Sequence, residues 1–208
     1  MNIITISREF GSGGREIGKK IAEFLGYDYY DKEIITEIAS RHSVSEEYVE
    51  QTLLSSNVIP SHVFFHHSFT SPLYVNYQHS SILLEQRKII EEIAAKGKDF
   101  VIIGRNSDVL LRDFSPFNIF ITANLQDKIA RCRLYEKENG ENLSDKELKK
   151  KITKIDKARK RARYLITEKD WGSKDTYNLI VNSSGWDLTS LSSVLAQTAL
   201  QYFKGRQD

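Results

Sequence analysis

The clearest chemical signal lies in a glycine-rich segment near the start of the chain, Ser7-Arg8-Glu9-Phe10-Gly11-Ser12-Gly13-Gly14-Arg15-Glu16. Three glycines within four residues let a loop turn several backbone N–H groups inward, and a following helix adds the positive end of its dipole. A phosphate chain is the anion that such a loop binds best. The alternative is a strand–helix turn without a ligand, but the two flanking arginines favour the phosphate site. The predicted phosphate-binding residues are Arg8, Gly11, Ser12, Gly13, Gly14, Arg15 and Glu16.

This segment lacks the full P-loop pattern, G-x-x-x-x-G-K-[ST]. If Gly11-Ser12-Gly13 takes the place of the G-x-G core, Gly14 stands at the lysine position, and the hydroxyl that would meet magnesium is missing, since the next two residues are Arg15 and Glu16. Arg8 replaces the first glycine. The loop can still hold phosphates through its N–H groups. The missing positive charge must come from elsewhere, and Arg8 and Arg15 are the candidates.

A second candidate site is a strongly basic stretch from Lys146 to Arg163, which holds ten lysines and arginines against two acids. Asp156 and Arg159 lie three residues apart, so on a helix the carboxylate can hold the guanidinium in place. An ordinary surface ion pair is the alternative. The stretch as a whole fits a lid that draws two anionic substrates together, a solvated helix face, or an RNA-binding stripe. The lack of interleaved aromatic residues before Tyr164 argues against RNA.

Rigid elements must position these residues, and hydrophobic periodicity predicts strands alternating with helices. Strands are predicted at Ile3–Ile6, Tyr27–Tyr30, Phe100–Ile103, Asn118–Thr122 and Tyr177–Asn182. Helices are predicted at about 17–25, 32–41, 80–96, 125–138, 144–167 and 188–203, with a capping box formed by Ser144 and Glu147. This alternation predicts an α/β fold with a parallel five-stranded sheet, whose ligands bind beyond the carboxyl ends of the strands.

The stretch from Ser43 to about Ser80 has a weaker pattern, which predicts short helices and loops. Four histidines in this stretch match no zinc-binding pattern, so we predict no metal site from His62, His66, His67 and His79. Gln86, in the helix that follows, is a candidate for binding a base or a phosphate, with a plain surface role as the alternative.

Composition limits the classes of protein to which the chain can belong. Of 208 residues, 40% are hydrophobic and 28% are charged, which predicts one globular domain and excludes an intrinsically disordered chain. The formal net charge of +2 provides no field that would draw the whole molecule to nucleic acid or to a membrane. We find no bilayer-spanning run and no signal peptide, and the single cysteine, Cys132, fits a reducing compartment. We therefore expect a cytoplasmic protein.

Four segments together resemble the cytidylate kinase-like proteins, relatives of bacterial cytidylate kinase among the nucleoside monophosphate kinases. The segments are ISREFGSGGREIGKKIAEFLGYDYYDKEII, VIIGRNSDVLL, IFITANLQDKIARC and IDKARKRARYL, which occur in the family's order over most of the chain. The resemblance implies a three-layer P-loop NTPase fold in a single domain over residues 1–208. It also implies a lobe for the nucleoside monophosphate (NMP) at about residues 32–97, a helical lid at about residues 139–170, and ATP with Mg²⁺ as the phosphate donor.

The resemblance also implies roles for individual residues. Gly11, Ser12 and Gly13 match the phosphate loop. Asp156 and Arg159 match a D-x-x-R pair of the lid, whose arginine reaches the transferring phosphate. The candidate catalytic residues are Arg159, Asp156, Arg15 and Arg163, and the candidate NMP-binding residues are Asp31, Arg105, Asn106 and Gln86. Two further arginines lie on the helix that leads into the lid, Arg131 and Arg133.

The chain departs from the family's pattern at four positions. Gly14 stands at the lysine position of the loop, and Arg15 and Glu16 follow it in place of a hydroxyl residue. Asn106 replaces the aspartate of a Gly-Arg-Asp motif, and Glu37 replaces a monophosphate-binding arginine. We expect ATP-dependent phosphorylation of an NMP, CMP or dCMP before others, by a monomer or weak dimer without nucleic-acid or membrane partners. Two alternatives stay open: a nucleotide-binding regulator that has lost turnover, and a kinase of another small molecule on the same fold.

Overall fold

The centre of the molecule is a sheet of five parallel strands. It is taken from a computed structural model that describes residues 1–54, 77–138 and 143–206. The strands are Ile3–Arg8 (β1), Asp28–Tyr30 (β2), Phe100–Ile103 (β3), Phe117–Thr122 (β4) and Leu179–Asn182 (β5). Their order across the sheet is β2-β3-β1-β4-β5, so β1 lies in the middle. In the register, Ile4 of β1 pairs with Val101 of β3 on one side and with Phe117 of β4 on the other.

Helices cover both faces of this sheet. The described helices are Gly14–Leu25 (α1), Glu33–His42 (α2), Glu46–Leu54 (α3), Tyr77–Ala95 (α4), Ser107–Leu110 (α5), Leu125–Glu138 (α6), Asp145–Thr167 (α7) and Leu188–Lys204 (α8). Ile4 and Ile6 of β1 face α1 and α8, whereas Ile3 faces the core formed with α2, α3 and α4. Because alternate strand residues point to opposite faces and both faces are covered, β3 is apolar throughout and apolar residues predominate in the first part of β1 and in β4.

The predicted α/β class and the five-stranded parallel sheet are confirmed. The capping box at the start of α7 is also present, since the Ser144 side chain accepts from the backbone N–H of Glu147 and the Glu147 carboxylate accepts from Ser144. In the weakly patterned stretch the structure contains α3, as the prediction of short helices required. His62, His66 and His67 lie outside the described residues, and so does the side chain of His79. Among the described helices, none has the length and apolarity that a membrane span needs.

Candidate active site

The glycine-rich segment forms the loop between β1 and α1. Gly11 and Gly13 have φ angles of 76° and 78°, a left-handed conformation that glycine adopts without steric cost. A Cβ at Gly11 would lie 2.9 Å from both Cys132 Sγ and the backbone oxygen of Lys128, so a glycine is needed for α6 to approach the loop. Helix α1 starts at Gly14, and the described residues provide no side-chain cap for it. Its first N–H groups therefore suit an anion.

Hydrogen bonds from three other elements hold the outside of the loop. The backbone N–H of Phe10 donates to Asp156 Oδ1 of α7 at 2.7 Å. The hydroxyl of Ser183, directly after β5, donates to the backbone oxygen of Ser12 at 2.7 Å. Arg131 of α6 donates to the hydroxyl and to the backbone oxygen of Ser183, at 3.1 and 3.0 Å. The loop is thus positioned by α6, α7 and the end of β5 together.

A buried lysine, Lys128 of α6, joins the loop to α7. Its Nζ lies 3.0 Å from Glu9 Oε2 and 3.1 Å from Asp156 Oδ2. Burial by itself raises the pKa of Glu9, but hydrogen bonds from Thr122 and Lys128 outweigh it and hold that pKa below its usual value. Burial also raises the pKa of Asp156, and there it outweighs the opposing effects of the Phe10 N–H and Lys128. One ammonium group therefore bridges two carboxylates from different elements.

Asp31, directly after β2, is a buried carboxylate at the same end of the sheet. Arg15 Nε lies 2.5 Å from Asp31 Oδ2, and Arg8 Nη2 lies 3.8 Å from Asp31 Oδ1. The Oδ1 atom has no hydrogen-bond partner among the described residues. It is therefore a buried acceptor that a ligand could use.

Arg105 reaches this region from a strained turn after β3. Gly104, Arg105 and Asn106 have φ angles of 69°, 61° and 53°, so three consecutive residues are left-handed. For the two residues with side chains this conformation costs about 1–3 kcal/mol each. The side-chain amide of Gln86 in α4 donates to the backbone oxygen of Arg105 at 3.3 Å and supports the turn. Arg105 Nε is buried and lacks a hydrogen-bond partner among the described residues.

Arg159 of α7 lies over the glycine-rich loop. Its guanidinium donates to the backbone oxygen of Arg8 at 3.1 Å and lies 5.8 Å from the centre of the Phe10 ring. Arg159 Nη1 is 3.8 Å from Asp156 Oδ1, an ion-pair distance too long for a hydrogen bond. Burial lowers the pKa of Arg159 to about 10. The predicted pair thus exists as a long contact, because Asp156 bonds to the loop and to Lys128 instead.

Four arginines line a cleft of about 330 Å³, and we call them the arginine cluster: Arg8, Arg15, Arg105 and Arg159. Burial lowers the pKa of Arg8 well below its usual value, and the charges of the other three arginines lower it further. Asp31 and the exposed Glu50 offset part of this charge at Arg105. An excess of positive charge remains, which a multivalent anion would neutralise. Other lining residues are Lys32, Leu53, Leu83, Gln86 and Trp171.

Two predicted site residues take up other positions. Arg163, a candidate catalytic residue, is fully buried and donates to both carboxylate oxygens of Asp108 in α5, at 2.7 and 2.6 Å. It also donates to Asn106 Oδ1 at 3.5 Å, and so it joins α7 to the turn that carries Arg105. Glu16, a candidate phosphate-binding residue, has an exposed side chain that pairs with Lys20 at 3.8 Å. Glu16 is not among the residues that line the cleft.

Sequence reasoning missed Lys128, Ser183 and Asp108, which hold the loop and α7. A lysine within a helix normally faces solvent, so nothing in the pattern marks Lys128 as buried. Ser183 and Asp108 lie 171 and 55 residues away from their partners, and no local spacing relates them.

The described residues do not assemble protein ligands for Mg²⁺. Residues 1–54, 77–138 and 143–206 contain no group of three or more acidic, histidine or cysteine side chains that could hold a metal ion. Glu16, in the first turn of α1, pairs with Lys20, and Asp31 is engaged by Arg15.

Known proteins resemble this chain in sequence family and in fold. Residues 3–185 match the model of the cytidylate kinase-like family. The solved structure of an uncharacterized protein from Eubacterium ventriosum is similar, with a TM-score of 0.70, 23% identity and coverage of 96% of this chain and 98% of that chain. A comparison with curated proteins gives no significant match.

Two shikimate kinases share the fold. The enzyme from Acinetobacter baumannii, solved in complex with shikimate, has a TM-score of 0.56 and 12% identity over 97% of this chain and 94% of that chain. The enzyme from Bacteroides thetaiotaomicron has a TM-score of 0.55 and 15% identity over 95% of this chain and 97% of that chain. Together with the family match, this fold supports a kinase that acts on a nucleotide or another small molecule.

Proposed function

The chain belongs to the cytidylate kinase-like family, and from that premise we propose that it transfers the γ-phosphoryl group of ATP to a nucleoside monophosphate, with CMP or dCMP preferred. The observation that carries the proposal is the arginine cluster, which lies beside the glycine-rich loop at the carboxyl end of the sheet. Two phosphorylated substrates bring many negative charges to one place, and four guanidinium groups can offset them. A monomeric or weakly dimeric state and a cytoplasmic location stay predictions of the sequence.

The glycine-rich loop would bind the phosphate donor, ATP. The phosphates of ATP would meet the start of α1, where N–H groups and the helix dipole favour negative charge. Asp156 and Ser183 already hold the outer side of the loop by hydrogen bonds. Because little of the loop has to be ordered on binding, little affinity is lost to that ordering.

Arg105 and Asp31 would bind the phosphate acceptor. Arg105 is held by a strained turn and carries a buried Nε without a partner, and both features are costly unless a ligand uses them. A phosphate oxygen of the acceptor would give Arg105 that partner. Asp31 Oδ1 is a free acceptor, and the buried amide of Gln86 offers a further oxygen, so both could receive hydrogen bonds from a sugar or a base.

Arg159 is the residue proposed to act on the group in transfer. In the reaction an oxygen of the acceptor phosphate forms a bond to the γ-phosphorus, and the bond from that phosphorus to the β–γ bridging oxygen breaks. The electron pair of the broken bond stays on ADP, and the other product is a nucleoside diphosphate. Positive charge next to the moving group stabilises this transition state. Arg159 lies over the loop, beside Phe10 and the backbone of Arg8, where that charge is needed.

A coupled assay of ADP formation tests the proposal, with MgATP and each of CMP, dCMP, UMP and AMP. We expect the highest kcat/KM with CMP or dCMP. Arg159→Ala should lower kcat by roughly 10³-fold or more, as removal of a transition-state arginine does in related systems. Lys157→Ala is the matched control, because it removes an exposed cation from the same helix and should leave kcat unchanged.

Two other outcomes would change the proposed role of Arg159 or the proposed function. Wild-type kcat in Arg159→Ala would remove Arg159 from the reaction. ATP binding without turnover on any acceptor would favour the nucleotide-binding regulator, which is motivated by Gly14 at the lysine position and by the lack of a hydroxyl at Arg15 and Glu16.

A second acceptor class is favoured by Glu37. This residue stands where the family's pattern has a monophosphate-binding arginine, and its half-exposed carboxylate accepts from Arg41 at 2.7 Å. Without that arginine, Arg105 has less help in holding an acceptor phosphate. A smaller anionic acceptor with a hydroxyl group, such as the shikimate bound by the Acinetobacter baumannii neighbour, would need less positive charge to be held. Turnover with such a compound, and none with NMPs, would support this candidate.

A further inference from the structure

We propose that Arg8 supplies the positive charge that the P-loop pattern takes from its lysine, and that residue 14 is glycine because Arg8 occupies the space of that lysine. The inference rests on the proposed function, since it assumes a triphosphate in the loop. In the pattern G-x-x-x-x-G-K, glycine stands first and lysine seventh. In this chain Arg8 stands first and Gly14 seventh. A basic residue and a glycine have therefore exchanged positions.

The exchange has a steric cause. A Cβ built on Gly14 would lie 2.5 Å from Arg8 Cβ, 3.0 Å from Arg8 Cγ and 3.3 Å from Ile121 Cβ. Two saturated carbons cannot approach to 2.5 Å without displacing one of them. Arg8 cannot yield easily, because it is the last residue of the central strand and is paired with Ile121 in β4. Only one of positions 8 and 14 can therefore carry a side chain.

The Arg8 guanidinium is held inside the cleft by its surroundings. A Cβ at Gly104 would overlap Arg8 Nη1, so the absence of a side chain at Gly104 makes room for this group. Asp31 Oδ1 lies 3.8 Å from Arg8 Nη2 on the other side. The Arg8 side chain is only 13% exposed, and it lines the cleft together with Arg159. A charge from position 8 thus reaches the region where donor and acceptor phosphates would meet.

Arg15 is the other candidate for the missing charge. Its side chain is 50% exposed, and its Nε forms an ion pair with Asp31 Oδ2 at 2.5 Å. Its charge is therefore closely neutralised and partly screened by water. Arg8, by contrast, makes only a long contact with Asp31. Removal of the Arg8 charge should therefore lower triphosphate affinity more than Arg15→Ala does.

A cycle of four proteins tests the exchange: wild type, Arg8→Gly, Gly14→Lys and the double variant Arg8→Gly/Gly14→Lys. Calorimetry measures the affinity for MgATP and for inorganic triphosphate, and denaturant titration measures the free energy of unfolding. Arg8→Gly should weaken both affinities by roughly tenfold to a hundredfold, the effect of one charge-assisted hydrogen bond. The double variant should bind more tightly than Arg8→Gly. Gly14→Lys alone should be the least stable protein, because only it carries both side chains.

Further variants separate charge from folding. If Arg8→Gly does not fold, Arg8→Met and Arg8→Lys take its place, since both keep a long side chain and only Arg8→Lys keeps the charge. Arg8→Met should then lose affinity, and Arg8→Lys should keep most of it. Lys19→Ala is the matched control, because it removes an exposed cation of α1 and should leave affinity unchanged.

Three results would overturn the inference. Wild-type affinity in Arg8→Gly or Arg8→Met would show that Arg8 holds no phosphate, and the proposed function would stand. A double variant that binds no better than Arg8→Gly would show that the two positions do not exchange. A wild-type protein that binds neither MgATP nor triphosphate would overturn the proposed function and this inference together.

Discussion

Asp31 shows how closely charge is balanced at single residues of the site. Its carboxylate is nearly fully buried, contacts Arg8 and Arg15, and offsets the charge of Arg105 as well. Without Asp31, less negative charge would compensate the four guanidinium groups of the arginine cluster. Such a site should be less stable when empty and more attractive to an anion.

The variant Asp31→Asn measures this balance. We expect the free energy of unfolding to fall by about 1–3 kcal/mol, because buried charge loses a partner. Inorganic triphosphate should then raise the Tm of the variant by more than that of the wild type. Asp28→Asn, at an exposed position of β2, is the control and should behave as wild type. Equal stability of Asp31→Asn and wild type would contradict the account of the cluster.

Glu9 predicts a dependence of stability on pH. Its pKa lies below the usual 4.5 in the folded chain, so the ionised form stabilises the fold at every pH above 4.5. That contribution is lost as the pH falls below 4.5 and through the lowered pKa. Glu9→Gln should therefore be less stable than wild type at neutral pH, and the difference should shrink as the pH falls below 4.5. Denaturant titrations across this range measure it.

A difference that stays constant with pH would contradict this role of Glu9. Glu23→Gln, an exposed change on α1, should follow the wild-type profile throughout.

At the scale of elements, helix α7 explains the basic stretch. Its exposed lysines form one outer face: Lys146, Lys149, Lys150, Lys154 and Lys157. Asp156, Arg159 and Arg163 instead contact the loop, the backbone of Arg8 and α5. The solvated-face interpretation thus describes the lysines, and a functional role for the inner residues stays a prediction. Closure of α7 as a lid stays a prediction.

The buried pair of Arg163 and Asp108 should contribute strongly to the attachment of α7. Asp108→Ala leaves a fully buried guanidinium without its partner, which costs about 3–5 kcal/mol. The double variant Asp108→Leu/Arg163→Met removes both charges and should be more stable than Asp108→Ala. Denaturant titration measures both. Asp113→Ala, at a highly exposed position nearby, should change little. A double variant that is no more stable than Asp108→Ala would contradict this assignment.

At the scale of the whole molecule, one sheet carries two separate apolar cores. Ile38 lies in the core formed with α2, α3 and α4, and Ile21 lies in the core formed with α1 and α8. The strands of the sheet contribute alternate residues to both cores. The two layers should therefore unfold together.

Core substitutions in each layer test this cooperativity. Ile38→Ala and Ile21→Ala should each cost about 2–5 kcal/mol, since both side chains are fully buried. Each should lower the Tm of a single transition that calorimetry and circular dichroism report alike. Leu84→Ala, which is highly exposed, serves as the control. Two separate transitions in either variant would contradict a single folding unit.

Much of the fold could be predicted from the sequence because it depends on local patterns. The apolar run at Ile3–Ile6 marked the central strand, and the structure extends it only to Arg8. Ser144 and Glu147 marked the start of α7. The candidate site was harder to predict: Arg105 followed only from a family resemblance, and the spacing of Asp156 and Arg159 also fitted an ordinary surface ion pair.

By itself, the amino-acid sequence determined the order and type of the main elements and the presence of an unusual glycine loop. Hydrophobic periodicity, helix caps and turns depend on a few neighbouring residues, so they can be recognised in the sequence. Only the tertiary structure decided that Arg163 pairs with Asp108, that Lys128 bridges Glu9 and Asp156, and that Arg8 excludes a side chain at Gly14. These contacts arise where separate elements pack together, and their distances follow from three-dimensional packing and not from spacing along the chain.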